Sequence, residues 1–182
     1  DSSGHYNQAQ YMGLAHAIAY PGQHPSNQIL ELPATNQSYL TVNPSASLQP
    51  TSVSIAGYFR WQAITDIAVL VGKTTGTATS ESYALYYAFG AINGNVGQAA
   101  RYESVGYTLN PDPAQWYHIA YTYDHTAGVQ TLYVNGRPVA ARLTHLDIEY
   151  DVHPLILGAE YEQEQLDYWF NGQMDEIRIY NR

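Results

Sequence analysis

No cysteine occurs among the 182 residues, so neither a disulfide framework nor thiol chemistry is open to this chain. Basic residues are scarce. Seven Lys and Arg stand against sixteen Asp and Glu, and the net charge of −9 repels phosphate backbones and anionic bilayers, so nucleic acid is not an expected partner. Charged residues of both signs make up only 13%, while Tyr alone numbers 18. Wetting therefore falls to Ser, Thr, Asn, Gln and tyrosine hydroxyls, which suits an exported β-protein better than a cytosolic enzyme. No apolar run approaches the roughly 20 residues of a spanning helix, so membrane insertion is not expected. The opening residues are not expected to form a signal peptide. Helical periodicity nowhere persists over ten residues, which leaves short helical turns near 44–49 and 113–115 at most. Gly-x-Ser-x-Gly, phosphate-cradling glycine loops and dinucleotide fingerprints are missing. The histidines His5, His16, His24, His118, His125, His145 and His153 show no metal-ligand spacing and are read as scattered surface or half-buried imidazoles.

What is present is alternation. Residues 54–61 place Ile55, Gly57, Phe59 and Trp61 on one face and Ala56, Tyr58 and Arg60 on the other, as a central strand would. Strands are also expected at 28–32, 39–42, 66–72 and 83–89, with Tyr83, Leu85, Tyr87 and Phe89 as the bulky face. Asn93-Gly94 reads as a turn, and residues 116–123, 131–135 and 137–142 as a meander through an Asn135-Gly136 hairpin. The last strand is expected to follow an Asn171-Gly172 turn. Its phase puts Asp175 on the same inward side as Ile177 and Ile179, where a carboxylate needs a cation or backbone N–H partners.

The ordered set Trp-Tyr-His-Ile-Ala-Tyr-Thr-Tyr-Asp at 116–124, Leu-Tyr-Val-Asn-Gly at 132–136, Pro-Leu-Ile-Leu-Gly-Ala at 154–159 and Asp-Glu-Ile-Arg-Ile-Tyr-Asn-Arg at 175–182 resembles the laminin-G-like branch of the concanavalin A-like lectin and glucanase superfamily. The resemblance implies an all-β fold, a two-sheet antiparallel jelly-roll sandwich, as one domain over residues 1–182. It also implies a structural calcium ion held by Asp175 with oxygens of Asp1, Gly4 and Asn7, six to eight oxygens being what calcium takes. The alternative is an Asp175 that accepts backbone hydrogen bonds. Where the family usually shows Phe-Asp-Gly, this chain has Leu32-Pro33-Ala34.

Since one scaffold of this kind carries lectins, adhesion modules and polysaccharide-cleaving enzymes, activity has to be argued from residues. Sugar rings stack on Trp and Tyr and bond to a few oriented polar groups, and eighteen tyrosines are more than a core this size readily buries. A shallow groove built from Trp61, Tyr86, Tyr121 and Tyr123 with Arg60 is the expected ligand site. The loops 73–82 and 160–169 are next in line. Asp147, Glu149 and Asp151 alternate as three carboxylates of one strand face would, but they lack the Glu-x-Asp-x-x-Glu order of the superfamily's glucanases; a solvated face or an added cation site outweighs catalysis. The expected function is a non-catalytic, lectin-like carbohydrate-binding module of a secreted or cell-surface, bacterial polysaccharide-acting enzyme or adhesin, with a polysaccharide or glycan as partner and further domains in a longer exported chain. A protein-binding adhesion or spacer domain is the second reading, and a jelly-roll hydrolase or lyase the third.

Overall fold

The structure, a computed structural model, describes residues 3–20, 27–33, 37–75, 81–99 and 101–182. These residues form sixteen strands: β1 Ala9–Met12, β2 His16–Ala19, β3 Gln28–Leu32, β4 Tyr39–Val42, β5 Val53–Ala63, β6 Ile67–Lys73, β7 Tyr83–Ala88, β8 Ala91–Gln98, β9 Arg101–Thr108, β10 Tyr117–Asp124, β11 Val129–Val134, β12 Arg137–Leu143, β13 Leu155–Leu157, β14 Glu160–Glu162, β15 Gln165–Asp167 and β16 Asn171–Tyr180. A 3-10 turn at Ala46–Leu48 falls within the expected helical stretch. Sheet A runs β1-β4-β13-β6-β7-β8-β9 and sheet B runs β12-β11-β10-β5-β16-β3-β2, with β14 and β15 as a separate hairpin. All the pairings are antiparallel, as in a jelly-roll sandwich.

Alternation decides what fills the space between the sheets. Val53, Ile55, Phe59 and Trp61 of β5 meet Ile119, Tyr121 and Tyr123 of β10 on the inner side of sheet B, and Tyr83, Leu85, Tyr87, Ile92 and Val96 face them from sheet A. Each large side chain so buried contributes about 1.5–3 kcal/mol. One contact keys the sheets together. A Cβ at Gly94 would lie 2.1 Å from the Tyr121 ring, so only glycine lets the two layers approach there.

Three local expectations fail for physical reasons. Asn93-Gly94 lies inside β8, and the turn before it is Phe89-Gly90, whose φ values of 47° and 84° suit a two-residue hairpin loop. Asn171-Gly172 opens β16 instead of preceding it; Gly172 pairs with Trp61, and a Cβ there would meet the Arg60 carbonyl at 2.2 Å. The Asn135-Gly136 hairpin forms as read, with φ of 50° and 75°.

The third concerns the phase of the last strand. Pairing of β16 with β5 slips between Asp175 and Arg178, where Glu176 takes φ 51° as the extra residue of a bulge. Met174 points into the core, Asp175 pairs with the exposed Tyr58 on the outer face, and Ile177 returns to the inner side with its Cδ1 over Gly57. Asp175 is thus not on the side of Ile177 and Ile179.

Candidate functional site

The outer face of sheet A carries small and amide side chains. Ala84, Tyr86 and Ala88 of β7 lie beside Asn95, Asn93 and Ala91 of β8, which in turn face Ser104 and Gly106 of β9. Small neighbours leave a recess around Tyr86. The β14–β15 hairpin closes one side of it, fastened to β6 at both ends by Gly158 N–H to the Leu70 carbonyl (3.0 Å) and Val69 N–H to the Tyr168 carbonyl (2.8 Å). The result is a cleft of about 400 Å³, whose lining includes Glu81, Tyr86, Phe89, Asn93, Asn95, Tyr102, Glu160, Glu162 and Tyr168. Its volume falls within the ~300–1,000 Å³ of small-molecule sites. Phe89 and Tyr102 are 76% and 51% exposed, so two aromatic faces stand open at its rim.

Two carboxylates form the deep part. Glu81 and Glu160 are each 7% exposed and are hydrogen-bonded to one another, an arrangement that needs a proton between the acids. Burial first, then the charge of Glu81, pushes the Glu160 carboxyl far above the usual carboxylate range. Asn95 Nδ2 donates to Glu81 Oε2 at 3.1 Å. Burial, opposed by a hydrogen bond with Ser104, pushes the Tyr86 phenol up to about 12, so it remains a hydroxyl at neutral pH.

Of the residues expected to bind ligand, Tyr86 alone lines this cleft. Trp61, Tyr121 and Tyr123 have no exposed surface: Trp61 packs edge-on against Tyr87, Tyr117 and Phe170, Tyr121 donates to Gln130 Oε1 at 2.7 Å, and Tyr123 donates to the Leu146 carbonyl at 2.6 Å. A sugar cannot reach them without opening the sandwich. Arg60 lies on the outer face of sheet B, where its Nε donates to the Pro113 carbonyl at 2.9 Å, away from Tyr86. Sequence reasoning missed Glu81, Asn93, Asn95, Tyr102 and Glu160 as a group. The only signal was that loops 73–82 and 160–169 were held in reserve, and each supplies one of the two buried acids; residues 76–80 lie outside the described residues.

The other acidic group disperses. Residues 144–154 form no strand, so no shared face exists. Asp147 contacts His125 at 2.6 Å, Glu149 accepts from Ala99 N–H, and Asp151 meets the buried Lys73 and His153. Burial lowers the Lys73 pKa, and its Nζ donates to the His153 carbonyl at 2.7 Å.

Two residues of the expected calcium set, Asn7 and Asp175, lie apart. Asp175 lines an outer cleft of about 370 Å³ with Tyr20, Asn27, Tyr58, Trp116 and Glu176, and its Oδ1 accepts the Glu176 N–H at 2.8 Å, steadying the bulge. Asn7 instead accepts from Ser45 Oγ and donates to Ser47 Oγ, and it lines a different cleft beside Ile177 and Ile179. Gly4 is exposed at φ 80°, and Asp1 lies outside the described residues. Among the described residues no group of three or more His, Asp or Glu is placed to hold a metal. Of the expected set, Asn7 and Asp175 therefore lie in different clefts.

Together the two sheets and the cleft define a lectin-type β-sandwich. A family model described as the concanavalin A-like lectin/glucanases superfamily matches residues 34–182, and the chain belongs to that superfamily. No curated protein matches the sequence. Among solved structures, the binding domain of botulinum neurotoxin DC in complex with SialylT is similar over 100% of this chain and 45% of its own, with a TM-score of 0.73 and 11% identity. A candidate carbohydrate-binding protein from Bacteroides ovatus matches 79% of this chain and 41% of its own, at TM-score 0.61 and 21% identity. NanB, in a structure with Optactamide, matches 74% and 23%, at TM-score 0.64 and 19% identity. The chain thus spans less than half the length of these proteins, and the likeness is one of fold.

Proposed function

We propose that this domain is a non-catalytic glycan-binding module whose ligand lies in the cleft on the outer face of sheet A. The observation that carries the reading is the cleft's lining, where open aromatic faces at Phe89 and Tyr102 stand above oriented amides and acids at Asn93, Asn95, Glu81 and Glu160. That combination suits a sugar, whose C–H faces stack while its hydroxyls bond. Similar folds in a toxin complex with SialylT and in a candidate carbohydrate-binding protein support it.

Catalysis is the weaker reading. Glycoside cleavage needs two carboxyl groups set about 5 Å or more apart, one on each side of the scissile bond, whereas Glu81 and Glu160 bond to each other. The module is proposed to serve a longer exported or cell-surface chain, in line with its share of the similar proteins' length. No helix among the described residues is long and apolar enough to cross a membrane.

A glycan array followed by affinity electrophoresis tests this function. Retention by at least one polysaccharide, lost in Tyr86→Ala and Tyr102→Ala, is expected. Absence of binding to every glycan would overturn it, and release of reducing ends dependent on Glu160 would make the protein an enzyme.

A further inference from the structure

We propose that the floor of the sheet A cleft is a subsite for a primary ammonium group, so that the glycan bound there carries a non-acetylated amino sugar. The inference rests on the glycan reading for the rest of the ligand. Its own basis is a set of hydrogen-bond acceptors that lack donors.

Asn95 is 2% exposed, and because its Nδ2 donates to Glu81 the orientation of the amide is fixed. Its Oδ1 is consequently an acceptor, and it has no hydrogen-bond partner among the described residues. A buried acceptor without a donor costs about 1–3 kcal/mol, so the site is incomplete as it stands. Glu81 accepts from that amide and Glu160 is bonded to Glu81 in turn, which adds two more acceptor groups. The two amides nearby each commit an N–H: Asn95 Nδ2 donates to Glu81, and Asn93 Nδ2 donates to the Ala91 carbonyl at 3.0 Å, which leaves the tyrosine hydroxyls of the lining as uncharged donors. None of the described lining residues is Lys, Arg or His.

A ligand that brings several donors and a positive charge complements this lining, which has acids and no cation among its described residues. A sugar hydroxyl offers one donor, whereas an ammonium offers three on a single nitrogen, enough for both carboxylates and Asn95 Oδ1. Empty, the acid pair is held together by one shared proton. When the ammonium enters, that proton leaves to solvent, both carboxylates ionise against the cation, and no covalent bond changes. A carboxylated sugar brings no cation to ionise the acid pair and meets the carboxylate of Glu162 at the rim, so it is rejected.

Isothermal titration with three probes tests this at about pH 6, where amines of this kind are charged. The probes are a tetramer of β-1,4-linked glucosamine, the same tetramer fully N-acetylated, and 1,4-diaminobutane. The glucosamine tetramer is expected to bind about tenfold or more tightly than its acetylated form. Repeating the titration in buffers of different ionisation enthalpy should show about one proton released per ligand. Glu160→Gln and Glu81→Gln, each shown folded by circular dichroism, should abolish both the preference and the proton release. Equal affinity for the two tetramers would overturn the ammonium subsite and leave the glycan site standing. Diaminobutane binding with Glu160-dependent proton release, with neither tetramer bound, would support the ammonium subsite and exclude β-1,4-linked glucosamine as its glycan. Silence from all three probes would overturn the ammonium subsite and leave the glycan reading to the array. Calcium displacing the shared proton while amines do not would overturn the proposal in favour of a metal.

Discussion

The outer faces of the two sheets obey one alternation rule and end in opposite chemical states. On sheet B most polar groups engage a neighbour: Tyr58 lies edge-on to His118 with ring centroids 5.0 Å apart, Arg60 donates to Pro113, Gln62 donates to Glu31, and Arg178 pairs with Glu176, while Gln173 Oε1 is buried without a hydrogen-bond partner among the described residues. On sheet A small residues hold a recess open, and the floor keeps a protonated acid pair and an acceptor without a donor. Both faces are recessed, since sheet B has its own cleft around Tyr20, Tyr58, Trp116 and Asp175. What separates them is the buried acid pair, Glu81 and Glu160, which lines the cleft on sheet A and has no counterpart in the described lining of the cleft on sheet B.

The comparison presumes that the sheets remain locked, and the largest expected effect tests this. Gly94→Ala forces a methyl into the Tyr121 ring, and a loss of about 3 kcal/mol is expected from overpacking, seen as a fall of roughly 6–12 °C in melting temperature. Gly90→Ala, which meets no atom within 4 Å, should cost less, through its positive φ alone.

Acidity at the floor comes next. A carboxyl raised in the folded state binds its proton more tightly there than when unfolded, so stability falls as pH climbs from the ordinary value of 4.5 toward the raised one. Glu160→Gln should therefore match the wild type in melting temperature below about pH 4 and exceed it by a few degrees at about pH 9. A pH-independent difference would mean that the pair is not protonated as described.

Binding separates the faces directly. Tyr86→Ala and Tyr102→Ala should each weaken glycan affinity by about fivefold to tenfold, the value of one aromatic contact, while Tyr58→Ala and Arg60→Ala stay within about twofold. Affinity gels with the polysaccharide retained in the array would show it.

The smallest effect concerns Asp175. If its task is to accept the Glu176 N–H at the bulge, Asp175→Ala costs about 1 kcal/mol and Asp175→Asn almost nothing, since the amide keeps the acceptor. Chelator should leave both melting curves where they are. A loss shared equally by Asn, Ala and chelator would instead point to a metal at Asp175.

Most strands could be read directly, because alternation over Val53–Ala63, Tyr83–Ala88 and Tyr117–Asp124 is a local property of the chain. Two kinds of information could not. The phase of Asp175 depends on one bulge residue, Glu176, and a period-2 count carried across it puts the carboxylate on the wrong side. Gly94 looks like half of a turn in sequence, and its need for a bare Cα comes from Tyr121 in the opposite sheet. The site was harder still. Glu81 and Glu160 are 79 positions apart and meet only because the β14–β15 hairpin is fastened across β6, a pairing with no sequence signature. Tyr86 was singled out correctly as to face, whereas Trp61, Tyr121 and Tyr123 share the composition of a sugar site and occupy the core.

The central claim, that ligand recognition belongs to the outer face of sheet A, is tested most directly by backbone amide chemical shifts recorded while a bound oligosaccharide is titrated. The expected result is a set of shifts centred on Tyr86, Asn93, Asn95, Tyr102 and Glu160, with Tyr58, His118 and Arg178 unmoved. Shifts concentrated on Tyr58, Trp116 and Asp175, with Asn93 and Asn95 silent, would contradict it.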